Sequence, residues 1–184
     1  GKIDLKKAHI DILSSSNNFN FKTFTDKKNI VSKNNIFVDC TASKSIAESY
    51  PEIIKKGFSV VTANKIANTL DYNYYLQIRA LANENKSKFL YETNVGAGLP
   101  IISTLQGLIF SGDKILEIEG VLSGTLSYLF NNFSAKTPFS KLVKGAKEKG
   151  FTEPDPRDDL SGTDVGRKLL ILCREVGERM EIDD

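Results

Sequence analysis

Two apolar runs, IFVDC at residues 36–40 and FSVVTANK at 58–65, each close on small polar residues and each hand over to a stretch with helical spacing. The first helical stretch spans about 44–56 and stops at Gly57; the second spans about 71–85 and leads to a third short apolar run, KFLYET. Strands that alternate with helices return to the same end of a sheet before pairing again, so they pair in parallel. The expectation is an α/β fold built on a mainly parallel sheet. In such a sheet the loops leaving the carboxyl ends of the strands form the usual ligand crevice, which here means DCTAS and TANK.

Length and charge narrow the setting. A chain of 184 residues, 40% hydrophobic, suits one medium domain or a small one joined to part of another. No apolar run approaches the roughly 18 residues that cross a bilayer, and GKIDLKKAHIDIL lacks the apolar core of a signal peptide. The expected compartment is the cytoplasm, with no membrane partner. Bases number 25 against 23 acids, and the lysines are scattered in short doublets, which argues against nucleic acid as a partner. Cys40 and Cys173 stand far apart in unrelated contexts and are expected to be free, buried thiols. The first 35 residues are polar and rich in Asn, Ser and Lys, so an irregular start is expected, with NFNFKTF at 18–24 alternating like a half-buried strand.

After residue 95 the pattern changes. Pro100 suits the first turn of a helix over about 100–111, KILEIEGVLSG alternates like a strand with one face buried, TLSYLFNNF reads as helix, and FSKLVKGAKEKG is an amphipathic helix ending at Gly150. A boundary near residue 93 divides the chain into parts covering 1–93 and 94–184.

Four segments carry candidate chemistry. Thr41 and Ser43 offer hydroxyls and close backbone approach at one strand end, and Lys65 adds a cation at the next; an ordinary capped helix start and a solvated lysine account for the same residues. ETNVGAGLP pairs Glu92 with a glycine loop whose carbonyls can converge, a hard ligand set suited to a monovalent cation, or else a tight turn with no ion. In EPDPRDDLSGTDVGRKLLILCRE, two prolines are expected to hold Glu153, Asp155, Asp158 and Asp159 on a stiff loop, with a helix from about Leu160 placing Asp164 and Lys168 on one face. That is a pocket for a small ammonium-bearing substrate, or a surface ion pair beside an acid-rich first turn. The glycine-rich phosphate loop of a dinucleotide domain is absent: the Gly-x-Gly at Gly96 and Gly98 comes too late and lacks its third glycine. If a cofactor domain is present, its opening strand, loop and helix lie outside this chain.

With VDCTAS, VVTANKIANT, ETNVGAGLPIISTL, IEGVLSGTLSYLFNNF and GFTEPDPRDDLSGTDVGRKLLIL in this order, the chain resembles homoserine dehydrogenases over roughly residues 36–184. TANKIANT is similar to the version found in bifunctional aspartokinase–homoserine dehydrogenases. The resemblance implies a partial Rossmann-like sheet in 1–93 and an α/β substrate and dimerisation domain in 94–184. It implies reduction of aspartate semialdehyde to homoserine by NADPH or NADH, on the way to threonine and methionine. It assigns Lys168 as proton donor to the carbonyl oxygen, with Lys65 beside nicotinamide and substrate. Glu153 and Asp164 would hold the substrate, Asp159 would support them, and Thr41, Ser43 and Gly150 would touch the cofactor. Glu92, with the carbonyls of Val95, Ala97 and Leu99, would hold sodium.

The same resemblance implies a homodimer, a possible fused aspartokinase in the parent protein, and a fragment lacking both family ends and therefore inactive alone. A non-catalytic ligand-binding or regulatory module on this fold is the rival reading. A third is another semialdehyde or amino-acid dehydrogenase sharing the fold; the settings of Cys40 and Cys173 argue against a thioester mechanism for it.

Overall fold

The computed structural model describes residues 4–16, 26, 34–152 and 155–184. They fall into two compact units, Gly1–Lys33 and Asn34–Asp184. In the first, the expected irregular start instead carries helix α1, Leu5–Ser14, because Asp4 accepts the Lys6 N–H and so satisfies a donor that the helix leaves open. The strand expected at 18–24 lies outside the described residues.

The second unit is built on a three-stranded parallel sheet in the order β1 (Asn35–Asp39), β2 (Phe58–Thr62), β3 (Phe89–Leu90). The register pairs Phe37 with Val60 and Asp39 with Thr62, so the two polar residues at the carboxyl ends lie side by side. The connection between β1 and β2 is two short helices, α2 (Lys44–Glu48) and α3 (Tyr50–Lys55), where one continuous helix was expected. The break falls at Ser49, whose Oγ donates to the Ile46 carbonyl, with Pro51 starting the second helix. Beyond β2 come α4 (Ile66–Thr69) and α5 (Tyr72–Glu84), the latter capped by Asp71.

Alternation along the strands sends Phe37, Phe58 and Val60 to one face, where Tyr50, Ile53, Ile54 and Ile78 cover them. Each fully buried aliphatic side chain contributes about 1.5–3 kcal/mol. Tyr50 sits between Phe37 and Phe89, with ring centroids 6.4 and 5.8 Å away. Ile36, Val38, Val61 and Leu90 point the other way and are exposed.

The α-helices that follow are α6 (Ile101–Phe110), α7 (Gly124–Asn132), α8 (Phe139–Glu148), α9 (Pro156–Leu160) and α10 (Thr163–Glu175), with no further strand among the described residues. Two expectations are corrected here. KILEIEGVLSG forms no ladder among the described residues, since no described segment pairs with it, and Leu116 and Val121 stay exposed. From Asp155 onward the expected stiff acidic loop is instead the short helix α9, with Pro156 at its first turn and Asp155 accepting the Arg157 N–H, so the main helix starts at Thr163 rather than Leu160. No helix among the described residues is long and apolar enough to cross a membrane.

A second core packs Tyr91, Val95, Ile102 and Leu105 against Ile171 and Leu172, joining α6 to α10. Polar contacts fasten the end of α10 more specifically. The buried Arg174 donates to the carbonyls of Asn68 and Leu70 at 2.9 and 2.7 Å and pairs with Glu181 at 2.8 Å. Glu175, only 5% exposed, receives Arg79 at 3.1 Å, the Tyr91 hydroxyl at 2.5 Å and Gln106 at 2.7 Å. The C-terminal end of α10 is thereby locked onto the helices that follow β2.

Candidate functional site

The two strand-end turns are tied together by one buried network. Asp39 is 2% exposed, and its carboxylate receives the Tyr50 hydroxyl at 2.6 Å, the Asn64 amide at 3.1 Å and the Thr41 N–H at 2.7 Å. Burial alone would push the Asp39 carboxyl up, but these hydrogen bonds outweigh it and hold it below the usual carboxylate value. Burial beside Asp39 pushes the Tyr50 phenol up, which keeps it a donor. Asn64 also donates to the Ser43 carbonyl at 3.0 Å, and its side-chain oxygen accepts the Ile66 N–H, which starts α4. The sequence reading passed over Asp39, Tyr50 and Thr62. The signal for Asp39 and Thr62 was a polar residue at the end of each apolar strand, whereas Tyr50 lies at the head of a helix and carried no such signal.

Beside this network lies a cleft of about 350 Å³ lined by Thr41, Ala42, Ala63, Asn64, Lys65 and Ile66 from the sheet side and Asp158, Thr163, Asp164 and Arg167 from α9 and α10. Lys65 follows β2 at the head of α4 and reaches Asp164 Oδ1 at 3.1 Å. Lys168, one turn along α10, reaches Asp164 Oδ2 at 2.6 Å and donates to the Leu122 carbonyl at 2.7 Å. Burial raises the Asp164 carboxyl, but the Lys168 hydrogen bond and the two ammonium charges prevail and hold its pKa below the ordinary value. The carboxylate is therefore ionised at neutral pH and holds both Lys65, which lines the cleft, and Lys168.

The expected site residues divide by position. Thr41, Lys65 and Asp164 share the cleft wall, and Lys168 joins them through Asp164. Ser43 caps α2, accepting the Ile46 N–H at 3.4 Å, so the capped-start reading holds for it while its carbonyl serves the network. Asp159 is buried on α9, and Glu153 lies outside the described residues. Gly150 ends α8 at φ 73°, beside Phe151, which lines a separate hollow with Gly124, Thr125 and Tyr128. Glu92 caps α6 from a distance: its carboxylate receives the N–H groups of Ile102 at 2.8 Å and Ser103 at 3.0 Å. Gly96 at φ 78° and Ala97 at φ 52° form the left-handed turn between them. Cys40 is exposed and Cys173 partly so, correcting the expectation of buried thiols; Cys40 leaves the sheet one residue after Asp39 and shares none of its burial.

A cleft at the carboxyl edge of a parallel sheet, with Thr41, Ala42 and Ala63 on one wall and Lys65 among its lining, is the ligand crevice of an α/β nucleotide-binding fold. Two family models cover nearly all of the chain: homoserine dehydrogenase, NAD binding domain, matches residues 13–92, and homoserine dehydrogenase matches residues 100–184. The chain belongs to the homoserine dehydrogenase family.

It is 54% identical over 156 residues to a bifunctional aspartokinase/homoserine dehydrogenase 2, chloroplastic, of Zea mays, a match covering 85% of this chain and 17% of the relative. The bifunctional aspartokinase/homoserine dehydrogenase of Buchnera aphidicola is 48% identical over 182 residues, 98% of this chain and 22% of its own length. The chain thus spans about a fifth of these relatives. Among solved structures, a hyperthermophilic archaeal homoserine dehydrogenase in complex with NADPH superposes with a TM-score of 0.80 at 28% identity, over 97% of this chain and 57% of that one.

Proposed function

We propose that the protein carrying this chain reduces aspartate semialdehyde to homoserine with NADPH or NADH, in the route to threonine and methionine. The observation that carries the reading is the clasp of Lys65 and Lys168 on Asp164 at the carboxyl edge of the sheet, in a chain of this family.

The bound dinucleotide supplies the hydride. The protein's own residues supply placement and the proton. An ammonium has three N–H donors. Lys168 directs one to Asp164 and one to the Leu122 carbonyl, which leaves one for the carbonyl oxygen of the aldehyde. That N–H donates as negative charge builds on the oxygen. Asp164 keeps Lys168 in this orientation and, with Glu153, holds the polar ends of the substrate; Asp159 supports them. Lys65, held by the same carboxylate, flanks the reacting carbon, and Thr41, Ser43 and Gly150 meet the cofactor.

The reading extends to the rest of the protein. Residues 1–93 form the cofactor part and 94–184 the substrate part. Glu92 and the carbonyls of Val95, Ala97 and Leu99 would hold a sodium ion; the support is the lone-pair capacity left on Glu92 after its bonds to Ile102 and Ser103, beside the left-handed turn at Gly96 and Ala97. The protein is a homodimer with a fused aspartokinase, the latter supported by the bifunctional relatives. A cytoplasmic setting belongs to the proposal; since the maize relative is named as chloroplastic, cell fractionation is its check.

The test follows NAD(P)H consumption with aspartate semialdehyde in the full-length protein and its Lys168→Ala variant. The variant is expected to lose about 10²- to 10⁴-fold in kcat with KM for the aldehyde nearly kept. A wild-type protein without turnover sinks the reading in favour of a ligand-binding module.

A further inference from the structure

Arg167 lines the cleft from α10, three residues after Asp164 and one before Lys168. The neighbouring lysines are committed: both hold Asp164, and Lys168 also holds a backbone carbonyl. Arg174, Arg79 and Arg157 are likewise engaged by carboxylates. Among the described residues Arg167 makes no hydrogen bond or ion pair, although it is half-buried in the cleft wall. Asp158 lines the same cleft without bonding to it.

A dinucleotide brings at least two negative charges into this cleft. The residues assigned to it above, Thr41, Ser43 and Gly150, are neutral, and Lys65 and Lys168 share the one negative charge of Asp164, so that trio offers a single net positive charge against at least two negative ones. A guanidinium presents paired N–H donors in a planar fork that matches two phosphate oxygens, a geometry an ammonium does not offer. Opposite Arg167 stand Thr41 and Ala42 at the end of β1 and Ala63 and Asn64 at the end of β2, small residues that let a phosphate approach the backbone.

We propose that Arg167 is a further cofactor-binding residue that takes up a phosphate of the dinucleotide. The assignment rests on the oxidoreductase reading given above. The diphosphate, common to NADH and NADPH, and the ribose phosphate of NADPH alone offer the same chemistry, and the two nucleotides separate them.

The experiment titrates NADPH and NADH separately into the full-length protein without aldehyde, following fluorescence of the reduced nicotinamide, for wild type, Arg167→Ala and Arg167→Gln. Gln keeps much of the side chain's length and removes its charge. The nucleotide-free unfolding midpoint of each variant is expected to match wild type, because the side chain holds no bond that folding depends on. The variants are expected to bind at least about tenfold more weakly, a loss of the order set by one charge-assisted contact. Equal losses for both nucleotides assign the diphosphate; a loss for NADPH alone assigns the ribose phosphate. Less than about threefold loss for both nucleotides overturns the assignment, whatever happens to KM for the aldehyde. A wild-type protein that binds neither nucleotide overturns the assignment and the oxidoreductase reading together.

Discussion

Lys65, at the end of the second strand, and Lys168, in the middle of the last long helix, hold opposite oxygens of one carboxylate, Asp164, at 3.1 and 2.6 Å. Like charges that would repel across an open cleft are kept together by the acid between them. Only one of the two contacts is local.

Replacing Asp164 by Asn should therefore act on both lysines. In the full-length protein kcat/KM is expected to fall by at least about 10²-fold, as for loss of a group that positions a proton donor. The pH response has a definite sign. The folded carboxyl lies below its ordinary 3.8, so its contribution to stability is complete above that value and disappears as the pH falls through the folded pKa. Thermal unfolding followed from pH 7 down to about 3 should show wild type losing more than the Asn variant below about pH 4. Parallel curves would remove Asp164 as the clasp.

Tyr50→Phe tests the network behind the strand ends. It deletes the hydroxyl that donates to Asp39 at 2.6 Å and leaves a buried carboxylate short of a donor. The expected cost is about 1–3 kcal/mol in urea unfolding. Because Asp39 also receives the Thr41 N–H, cofactor affinity should weaken as well. A variant as stable as wild type would show that the hydroxyl is dispensable.

Glu175→Ala strips the partner from Arg79, Tyr91 and Gln106 at once. Breaking a buried pair from one side costs about 3–5 kcal/mol. Arg157→Ala, which removes the exposed partner of Asp155, should leave the unfolding midpoint where it was. Equal effects from the two substitutions would refute the distinction between the hub and the surface pair.

Two glycines in one loop should separate cleanly. A Cβ on Gly96 would stand 2.5 Å from Ile101 Cγ1, at a backbone φ of 78° that side chains rarely adopt. Gly96→Ala is expected to cost about 1–3 kcal/mol, whereas Gly98→Ala meets nothing within 4 Å and should be mild. Chemical denaturation of the two variants decides it, and similar midpoints would count against strain at Gly96.

What the sequence by itself determined is what depends on near neighbours. The parallel sheet was legible because apolar runs of strand length alternate with helical spacing, and Asp164–Lys168 was legible because four residues are one helical turn. The short helix α9 was missed although its Asp155 cap and Pro156 were in plain view; the prolines were weighed as stiffeners and not as a helix start. KILEIEGVLSG shows the limit of pattern, since alternation proposes a strand but only a partner's backbone can complete one. Tertiary structure alone decided that Lys65 reaches Asp164, that Tyr50 reaches Asp39, and that Arg174 and Glu175 anchor the far end of the lysine-bearing helix. Those contacts join residues far apart in the chain, and their geometry exists only after the sheet and helices have packed.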